Sequence, residues 1–514
     1  MKSMVDPIQD IEDRINLFLK NDDIDSACNL LTSFVLTVIC DQRSVGRVFG
    51  SHDLDRMCRM IWEKFDSLQP SFAVSTRKNT SLSVYVATEL YIAGGHTAVI
   101  EDLIKFQPER QHIILLTDLY NRGERREVID RFSTYGIDVR HAPNGAYTVK
   151  ATFIKSQIID LSPSEVFIFG HNQDPIPLLV AYMDRGFDVY YYHHGDHTCT
   201  LGLYLPNVTH IDPHPFGYFN CKESLGVQRV CYLPLSVTDV PTFTDRKFLQ
   251  SGSIITCSSG RLEKFIGTYS FSYFDEIPQI LRLTRGKHIH IGPVTEDLLK
   301  LVRKRLAERG IDEKNFVYIP WVRSVAQAMI EFQVDVYISS FPLGGGKTSV
   351  EVMSSGTPIL NHQHYKTSLF SGAGIIYPEA MVWRNLSDLY ECLESISEPL
   401  LIQQSQLARE HYLRYNTPNV FKDSLHQIRE GELLPPPDKL CPQDYCYDAL
   451  RAYLDEVKIS ESYIAQKVQS LQEELTVTKS RLEYTKSTIE VLAKRIAELQ
   501  LDTDNAEIDL SYFE

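Results

Sequence analysis

The chain has 514 residues, with 52 Lys and Arg against 67 Asp and Glu, a net charge of −15 and 43% hydrophobic residues. This is the composition of a globular protein, and the length predicts two or three domains. The acidic balance argues against nucleic-acid binding, because phosphate binding needs a basic surface and no segment forms a Lys/Arg stripe. We therefore expect no nucleic-acid partner.

The sequence also indicates a cellular compartment. Its ten cysteines are scattered and lack a repeated CxxC pattern, which favours reduced thiols. The first twenty residues alternate charged and apolar positions at helical spacing, unlike a signal peptide, and no run of 18 apolar residues follows. We expect a cytoplasmic protein, and peripheral association with the inner face of a membrane stays open.

In chain order, residues 1–75 carry apolar positions at helical spacing and predict a helical N-terminal region. Short β-branched runs then alternate with helical stretches over 76–240, and the same pattern restarts over 250–432. Strands separated by helices indicate parallel sheets, so we predict two α/β domains in tandem. Open parallel sheets bind ligands beyond the carboxyl ends of their strands, which places the expected site in a cleft between the domains.

The tail shows the clearest periodicity in the chain. Apolar residues recur at alternating four- and three-residue steps over 457–499, within a predicted helix or coiled coil at 441–502. A two-in-seven stripe is typical of a coiled-coil seam and predicts a homo-oligomer, whereas a lone helix lying on the body is the alternative. The proline-rich segment 433–440 is interpreted as a linker.

A glycine loop in the second α/β segment is the main candidate binding site. A strand ends at Ser340, the loop includes Gly345 and Gly346, and a helix begins near Thr348. Free N–H groups at a helix start bind anions, so we expect phosphate there, unless the loop is only a flexible turn. An NTPase P-loop is rejected, because Phe341 stands where its first glycine belongs.

The segment after this loop, Glu351-Val-Met-Ser-Ser-Gly-Thr-Pro, resembles the sugar-nucleotide-binding segment of GT-B glycosyltransferases. The resemblance implies that Glu351 holds ribose hydroxyls and that Lys347, Thr348 and Ser349 at the helix start hold the diphosphate. Leu343 stands where many retaining members have a glutamate, which leaves inversion or retention open. The Gly-Lys-Thr-Ser segment partly resembles a loop of the O-GlcNAc-transferase-like branch.

Other segments resemble parts of the same fold. Arg261 and Lys264 follow the first strand of the second domain, where GT-B enzymes place cations on the donor diphosphate; a solvated turn is the alternative. Pro320 and Trp321 fall in the segment that resembles the nucleobase site. In the first domain, the loop Gly94-Gly95-His96 is similar to the glycine loop that faces the cleft.

The stretch FDVYYYHHGDHTCTLG, residues 187–202, resembles a motif of a bacterial GT-B subgroup and begins at a strand's carboxyl end. We predict His194 or His197 as the general base, with Asp196 orienting it. Two alternatives are a metal site and buried, hydrogen-bonded histidines. Metal binding is disfavoured, because adjacent histidines diverge on a strand and GT-B chemistry needs none.

Together these features predict an α/β protein with two Rossmann-like domains of the GT-B type, a helical N-terminal region and a C-terminal coiled coil. The resemblance implies metal-independent, cofactor-free transfer from a nucleotide diphosphate sugar to a glycan, lipid-linked or protein acceptor, tilted towards surface polysaccharide or glycoconjugate synthesis. A protein O-glycosyltransferase and a non-catalytic scaffold that organises partner enzymes remain as alternatives. His288 and His290 alternate along a strand without carboxylate or thiol partners and are interpreted as ordinary core residues.

Overall fold

The computed structural model describes residues 6–41, 43–69, 79–92, 95–123, 125–183, 186–240, 246–267, 269–365, 368–437 and 449–457, with short helical stretches between 472 and 494. Residues 7–450 form one compact unit, and residues 1–6 and 451–514 belong to a second. In these ranges, no helix is long and apolar enough to cross a bilayer.

Three amphipathic helices begin the first unit: α1 (Pro7–Lys20), α2 (Ile24–Cys40) and α3 (His52–Leu68). Side chains three or four positions apart on α1 are buried, as the helical spacing predicted. The indole N–H of Trp62 donates to the carbonyl of Pro175 (2.9 Å). Asp55 accepts hydrogen bonds from the N–H groups of Gly202 (2.7 Å) and Tyr204 (2.8 Å). These bonds anchor the helical region to the first α/β domain.

The first α/β domain has seven strands, β1 (Asn79–Ala87), β2 (Gln111–Leu116), β3 (Asp138–His141), β4 (Pro163–Phe169), β5 (Asp188–Tyr192), β6 (Thr209–Asp212) and β7 (Val230–Tyr232). Its helices are α4 (Gly95–Lys105), α5 (Arg126–Ser133), α6 (Tyr147–Leu161), α7 (Leu179–Tyr182) and α8 (Pro215–Phe219). All neighbours pair in parallel in the order β3-β2-β1-β4-β5-β6-β7. The strand order therefore reverses beside β1, where doubly wound sheets bind ligands.

The second α/β domain contains β8 (Ile254–Ser259), β9 (Arg285–Ile291), β10 (Phe316–Ile319), β11 (Val336–Ile338), β12 (Ile359–His362) and β13 (Met381–Trp383). Its helices are α9 (Tyr273–Thr284), α10 (Glu296–Glu308), α11 (Val325–Glu331), α12 (Lys347–Ser354) and α13 (Leu386–Glu394). Its strands are also parallel, in the order β10-β9-β8-β11-β12-β13. The two parallel sheets confirm the predicted α/β fold.

The central strands read as continuous apolar runs because helices cover both faces of each sheet. Six consecutive residues of β1, Leu82–Ala87, are buried. Val84 of this strand lies opposite Ile113 on one side and Val166 on the other. The β-branched runs of the sequence therefore form the central strands of the sheet. The polar residues that follow each run lie at the edge where the strands end.

The chain returns to the first domain after the second sheet, through α14 (Glu398–Tyr415) and α15 (Pro418–Arg429), and α16 (Ala449–Val457) follows. The Nε of Arg429 donates to Glu165 of β4 (2.8 Å), and Phe421 packs edge-on against Phe106 with ring centroids 5.5 Å apart. The sequence grouped residues 250–432 into one domain, whereas α15 packs on the first sheet. Most of the predicted segment 441–502 lies outside the described residues.

Candidate active site

Predicted site residues make contacts between the carboxyl ends of the two sheets. The ammonium of Lys347, at the start of α12, binds the carboxylate of Asp102 on α4. The guanidinium of Arg261, after β8, lies 5.3 Å from the ring centroid of Tyr91, which follows β1. His197 and Phe370 meet edge-on at 5.9 Å. The loops that the sequence singled out in each domain therefore face the same cleft.

On the second-sheet side, the glycine loop 344–346 leads from β11 into α12. Gly346 precedes the helix and supplies no capping side chain, so the positive end of α12 faces the loop. A Cβ on Gly344 would lie 2.6 Å from the carbonyl oxygen of Ser371, and the N–H of Gly344 donates to the carbonyl of Phe370 (2.5 Å). Glycine is required at 344 because a second backbone segment passes this close.

Lys264 places a cation beneath this loop. Its Nζ donates to the carbonyl of Gly344 (3.1 Å) and would lie 3.6 Å from a Cβ on Gly345. Burial, with a smaller contribution from the charge of Arg261, lowers the pKa of Lys264 to about 8. Arg261 itself is exposed and lies 3.3 Å from Glu263. An amine and a helix start at one glycine loop form an arrangement that binds anions.

The other predicted residues of α12 have distinct surroundings. Ser349 is buried, and its hydroxyl donates to the carbonyl of Gly345 (2.8 Å), which stabilises the first turn of the helix. Thr348 is half-buried at the same turn. Lys347 also donates to the carbonyl of Ala98 (3.0 Å), so in this structure its charge is shared with the first domain.

Glu351 joins α12 to the start of α11. Its Oε2 accepts hydrogen bonds from the N–H groups of Val325 (2.5 Å) and Ala326 (3.2 Å). Burial raises the pKa of Glu351, although the charge of Lys347 acts in the opposite direction. Pro320 and Trp321 lie five and four residues before the start of α11 and are exposed, with 54% of the Trp321 surface accessible. The carboxylate is therefore held at the start of α11, close to Trp321 along the chain.

On the first-sheet side, adjacent histidines after β5 separate as the strand alternation predicted. His194 faces His96, with stacked rings and centroids 5.2 Å apart. The Nε2 of His96 donates to the carbonyl of Glu89 (2.9 Å), and His171 meets His96 edge-on at 6.0 Å. Burial lowers the pKa of all three rings, to about 4 for His171. This triple is therefore neutral near pH 7.

Asp196 pairs with the other predicted base. Its Oδ1 lies 3.6 Å from the Nδ1 of His197, and its Oδ2 lies 3.9 Å from His214. Although burial by itself raises the pKa of Asp196, His197 and His214 lower it overall. The His197 side chain is 42% exposed. The structure thus brings Asp196 to His197, whereas His194 joins the neutral triple.

The glycine loop of the first domain is described in part. Gly94 lies outside the described residues, whereas Gly95 begins α4, and a Cβ there would meet no atom within 4 Å. His96 follows directly and contacts the triple described above. The open space at Gly95 is compatible with close approach of a ligand to the helix start.

Sequence reasoning missed a charged cavity beside β1. Its lining includes Glu89, Arg122 and Arg125. Arg122 lies 3.2 Å and Arg125 3.6 Å from Oε2 of the buried Glu89. The guanidinium of Arg125 also lies 5.3 Å from the ring centroid of Tyr91, on which Arg261 also sits. These residues follow two different strands, so no local motif could reveal the cluster.

Comparisons with known proteins place this geometry in a fold family. No protein-family model and no curated protein sequence matches the chain. Among solved structures, Anabaena Alr3699/HepE in complex with UDP and glucose matches 68% of this chain and 100% of its own, with a TM-score of 0.51 and 10% identity. A Rickettsia africae glycosyltransferase matches 69% and 98%, with a TM-score of 0.52 and 11% identity.

A variant of S. aureus TarM in complex with UDP, fondaparinux and α-GlcNAc-glycerol is similar over 68% of this chain and 99% of its own, with a TM-score of 0.53 and 8% identity. At such low identity, these likenesses concern the fold. The two parallel sheets flanked by helices agree with them. The chain therefore has the GT-B fold of the glycosyltransferases.

Proposed function

We propose that this protein is a glycosyltransferase that moves a sugar from a nucleotide diphosphate sugar to an acceptor hydroxyl. The observation that carries the proposal is Lys264, a cation bonded under the glycine loop at the start of α12. Phe370 accepts a hydrogen bond from the same loop, and its ring contacts His197, the partner of Asp196 in the first domain. Anion binding on one side and proton transfer on the other are the two tasks of this reaction.

In the proposed donor site, Lys264, Arg261 and the start of α12 receive the diphosphate. Glu351 is held by two N–H groups of α11, which orients its carboxylate for ribose hydroxyls, and Trp321 receives the base. Lys347 reaches the diphosphate only by leaving Asp102. UDP is the first nucleotide to test, because the HepE and TarM structures contain it.

In the proposed reaction, the acceptor hydroxyl gives its proton to the Nε2 of His197 as its oxygen bonds to the anomeric carbon. The bond between that carbon and the diphosphate breaks, and the leaving group takes the electron pair. Asp196, on the Nδ1 side of the ring, stabilises the imidazolium that forms. Lys264 and Arg261 stabilise the leaving diphosphate, so this step uses protein cations rather than a metal ion.

For the acceptor, we favour a sugar of a growing surface polysaccharide or glycoconjugate. The charged cavity with Glu89, Arg122 and Arg125 opens beside the histidine triple and offers both donors and acceptors of hydrogen bonds. Sugar hydroxyls need both, because each donates and accepts. A lipid-linked or protein acceptor would present the same hydroxyl chemistry to His197.

We also propose that the chain forms a homo-oligomer through residues 457–499, which would carry several active sites to one glycan or to a membrane-bound assembly. The described residues of this segment are helical, and the seam positions Leu475, Leu482 and Ile489 are more than half exposed. Exposed apolar residues at seven-residue spacing suit a coiled-coil partner. Light scattering should give a smaller mass for Leu482→Lys than for the wild type, and Glu483→Lys serves as the matched control.

A thermal-shift and calorimetric panel of UDP, GDP, CMP and ADP tests the donor site, because a ligand stabilises the folded state according to its occupancy. One nucleotide should stabilise the wild type, and Lys264→Ala should weaken its binding by about tenfold or more. Lys304→Ala, on the exposed face of α10, is the matched control. If no nucleotide binds the wild type, the proposal fails and the scaffold function takes its place.

A further inference from the structure

Four side chains of metal-binding types meet beneath the loop that holds Asp196 and His197. His193 follows β5, His210 and Asp212 belong to β6, and Cys221 lies in a π-helical turn, Asn220–Ser224. One ligand atom from each lies within 4.8 Å of the others, and all four residues are buried. Isolated π-turns are rare and occur frequently at functional sites.

The distances in this cluster are close to those of a coordination sphere. The Nδ1 of His193 lies 2.9 Å from Oδ1 of Asp212 and 3.5 Å from the sulfur of Cys221. The Nε2 of His210 lies 3.1 Å from Oδ2 of Asp212. With Zn–N near 2.0 Å and Zn–S near 2.3 Å, ligand atoms of a tetrahedral site are about 3.3–3.7 Å apart. The three contacts lie within about half an ångström of that spacing, and one ligand atom from each of the four residues lies within 4.8 Å of the others.

Hydrogen bonding accounts for only part of the cluster, namely the contacts of the His193 Nδ1 with Asp212 and Cys221. Among the described residues, neither ring nitrogen of His210 nor Oδ2 of Asp212 has a hydrogen-bond partner, although Nε2 and Oδ2 are close. The side-chain nitrogen and oxygen of Asn220, also buried, likewise have no hydrogen-bond partner among the described residues. Buried polar groups are almost always paired, and lone pairs that face a common point are what a cation satisfies.

Two buried histidines of the second sheet provide an internal comparison. His288 and His290 both contact the hydroxyl of Tyr273, at 2.8 and 2.9 Å, and His288 also contacts the hydroxyl of Thr256 at 2.8 Å. Their identified partners are hydroxyls, not carboxylates or thiols. This pair is a hydrogen-bonded core network, as the sequence indicated, although the Nε2 of His290 has no partner among the described residues. The first-sheet cluster differs from it in ligand type, because it adds a carboxylate and a thiol.

We propose that His193, His210, Asp212 and Cys221 bind one structural Zn²⁺ ion. Imidazole, thiolate and carboxylate are the ligands that zinc takes, and four protein ligands without an open position are typical of structural rather than catalytic sites. Binding releases the Cys221 proton to solvent, so the thiolate and the Asp212 carboxylate balance the two charges of the ion. This inference does not depend on the proposed transferase activity.

The ion would position the loop that carries the proposed base. A Cβ on Gly217 would lie 3.0 Å from Oδ1 of Asp212 and 3.0 Å from Oδ2 of Asp196. A metal ligand and the residue that orients His197 therefore pack against the same glycine. Zinc would join the end of β5, β6 and the turn after α8. It would thereby hold Asp212 and Gly217 in place, and with them Asp196. Sequence reasoning disfavoured a metal among neighbouring histidines, whereas this ligand set comes from three separate segments.

Metal analysis of the purified full-length protein tests the proposal. The wild type and Cys199→Ser, a buried cysteine outside the cluster, should each carry about one zinc per chain, and Cys221→Ser and Asp212→Asn should lose most of it. After chelation, Co²⁺ should give the visible bands of a tetrahedral site, with a thiolate charge-transfer band that Cys221→Ser lacks and Cys199→Ser retains.

If the variants fail to fold, the zinc content and Co²⁺ spectrum of the wild type still test the proposed site. A wild-type protein that is folded, carries no stoichiometric zinc and gives no tetrahedral spectrum with Co²⁺ overturns the proposal. An unchanged charge-transfer band in a folded Cys221→Ser protein overturns it as well. Nucleotide binding is measured on the same samples, so a failed zinc site and a failed donor site give separate results.

Discussion

The two sides of the cleft bury different basic groups, and burial leaves one group neutral and the other positively charged. On the first-sheet side, burial lowers the pKa of His96, His171 and His194 and leaves neutral rings. On the second-sheet side, burial lowers the pKa of Lys264 to about 8, which leaves it mostly protonated at pH 7. Desolvation therefore leaves neutral rings on the first-sheet side, whereas Lys264 keeps its charge because the ordinary pKa of a lysine is about four units higher than that of a histidine.

The largest expected effect separates proton transfer from donor binding. His197→Ala should lower kcat about 10²- to 10⁴-fold, because a general base contributes that much, and should leave the Kd for the nucleotide diphosphate unchanged. Steady-state kinetics and calorimetry measure the two quantities. His426→Ala, on an exposed face of α15, is the control. Parallel losses of kcat and nucleotide affinity would contradict the division between the two sides.

A pair of glycine substitutions sharpens the description of the second-sheet side. Gly344→Ala should lower the free energy of unfolding by about 1–3 kcal/mol, because its Cβ would meet the backbone of Ser371 at 2.6 Å. Gly345→Ala has only ordinary contacts, of 3.5 Å to Thr348 and 3.6 Å to Lys264, and should fold normally while weakening nucleotide binding. Chemical denaturation and calorimetry distinguish the two, and equal stability losses would refute this geometry.

The contact between the two sides has a smaller expected energy. A double-mutant cycle of Lys347→Ala and Asp102→Ala should give a coupling of about 1–2 kcal/mol in unfolding, because both side chains are nearly buried. The exposed pair Arg126 and Asp130 should couple by less than about 0.5 kcal/mol. Saturating nucleotide should reduce the first coupling if Lys347 moves to the diphosphate. A coupling that nucleotide leaves unchanged would remove Lys347 from the donor site.

The smallest expected effect is the uptake of a fraction of a proton when nucleotide binds. With a pKa of about 8, Lys264 is about half neutral at pH 8, and an adjacent diphosphate favours the charged form. Nucleotide binding at pH 8 should therefore take up about half a proton, and at pH 6 almost none. Calorimetry in buffers of different ionisation enthalpy measures this uptake. Lys264→Arg stays charged and should show no such uptake, so equal uptake in both proteins would assign the proton elsewhere.

Short segments of the sequence predicted much of the candidate site. The glycine loop before α12 and the segment after β5 were recognisable because a strand end, turn residues and a helix start are adjacent in the chain. The divergence of neighbouring histidines was also predictable, since side chains alternate along a strand. Their partners were not: His194 meets His96, and Lys347 meets Asp102, across about 100 and 245 residues. The roles assigned to the site residues stay predictions.

The sequence by itself determined the fold class, because hydrophobic periodicity and alternation of strands and helices are local properties that burial on both faces of a sheet imposes. It also predicted a site at the carboxyl ends of the strands. Only the tertiary structure decided which histidines are neutral, which of them faces Asp196, and that His193 meets His210, Asp212 and Cys221. Those outcomes depend on desolvation and on contacts between separate segments, which no spacing along one segment encodes.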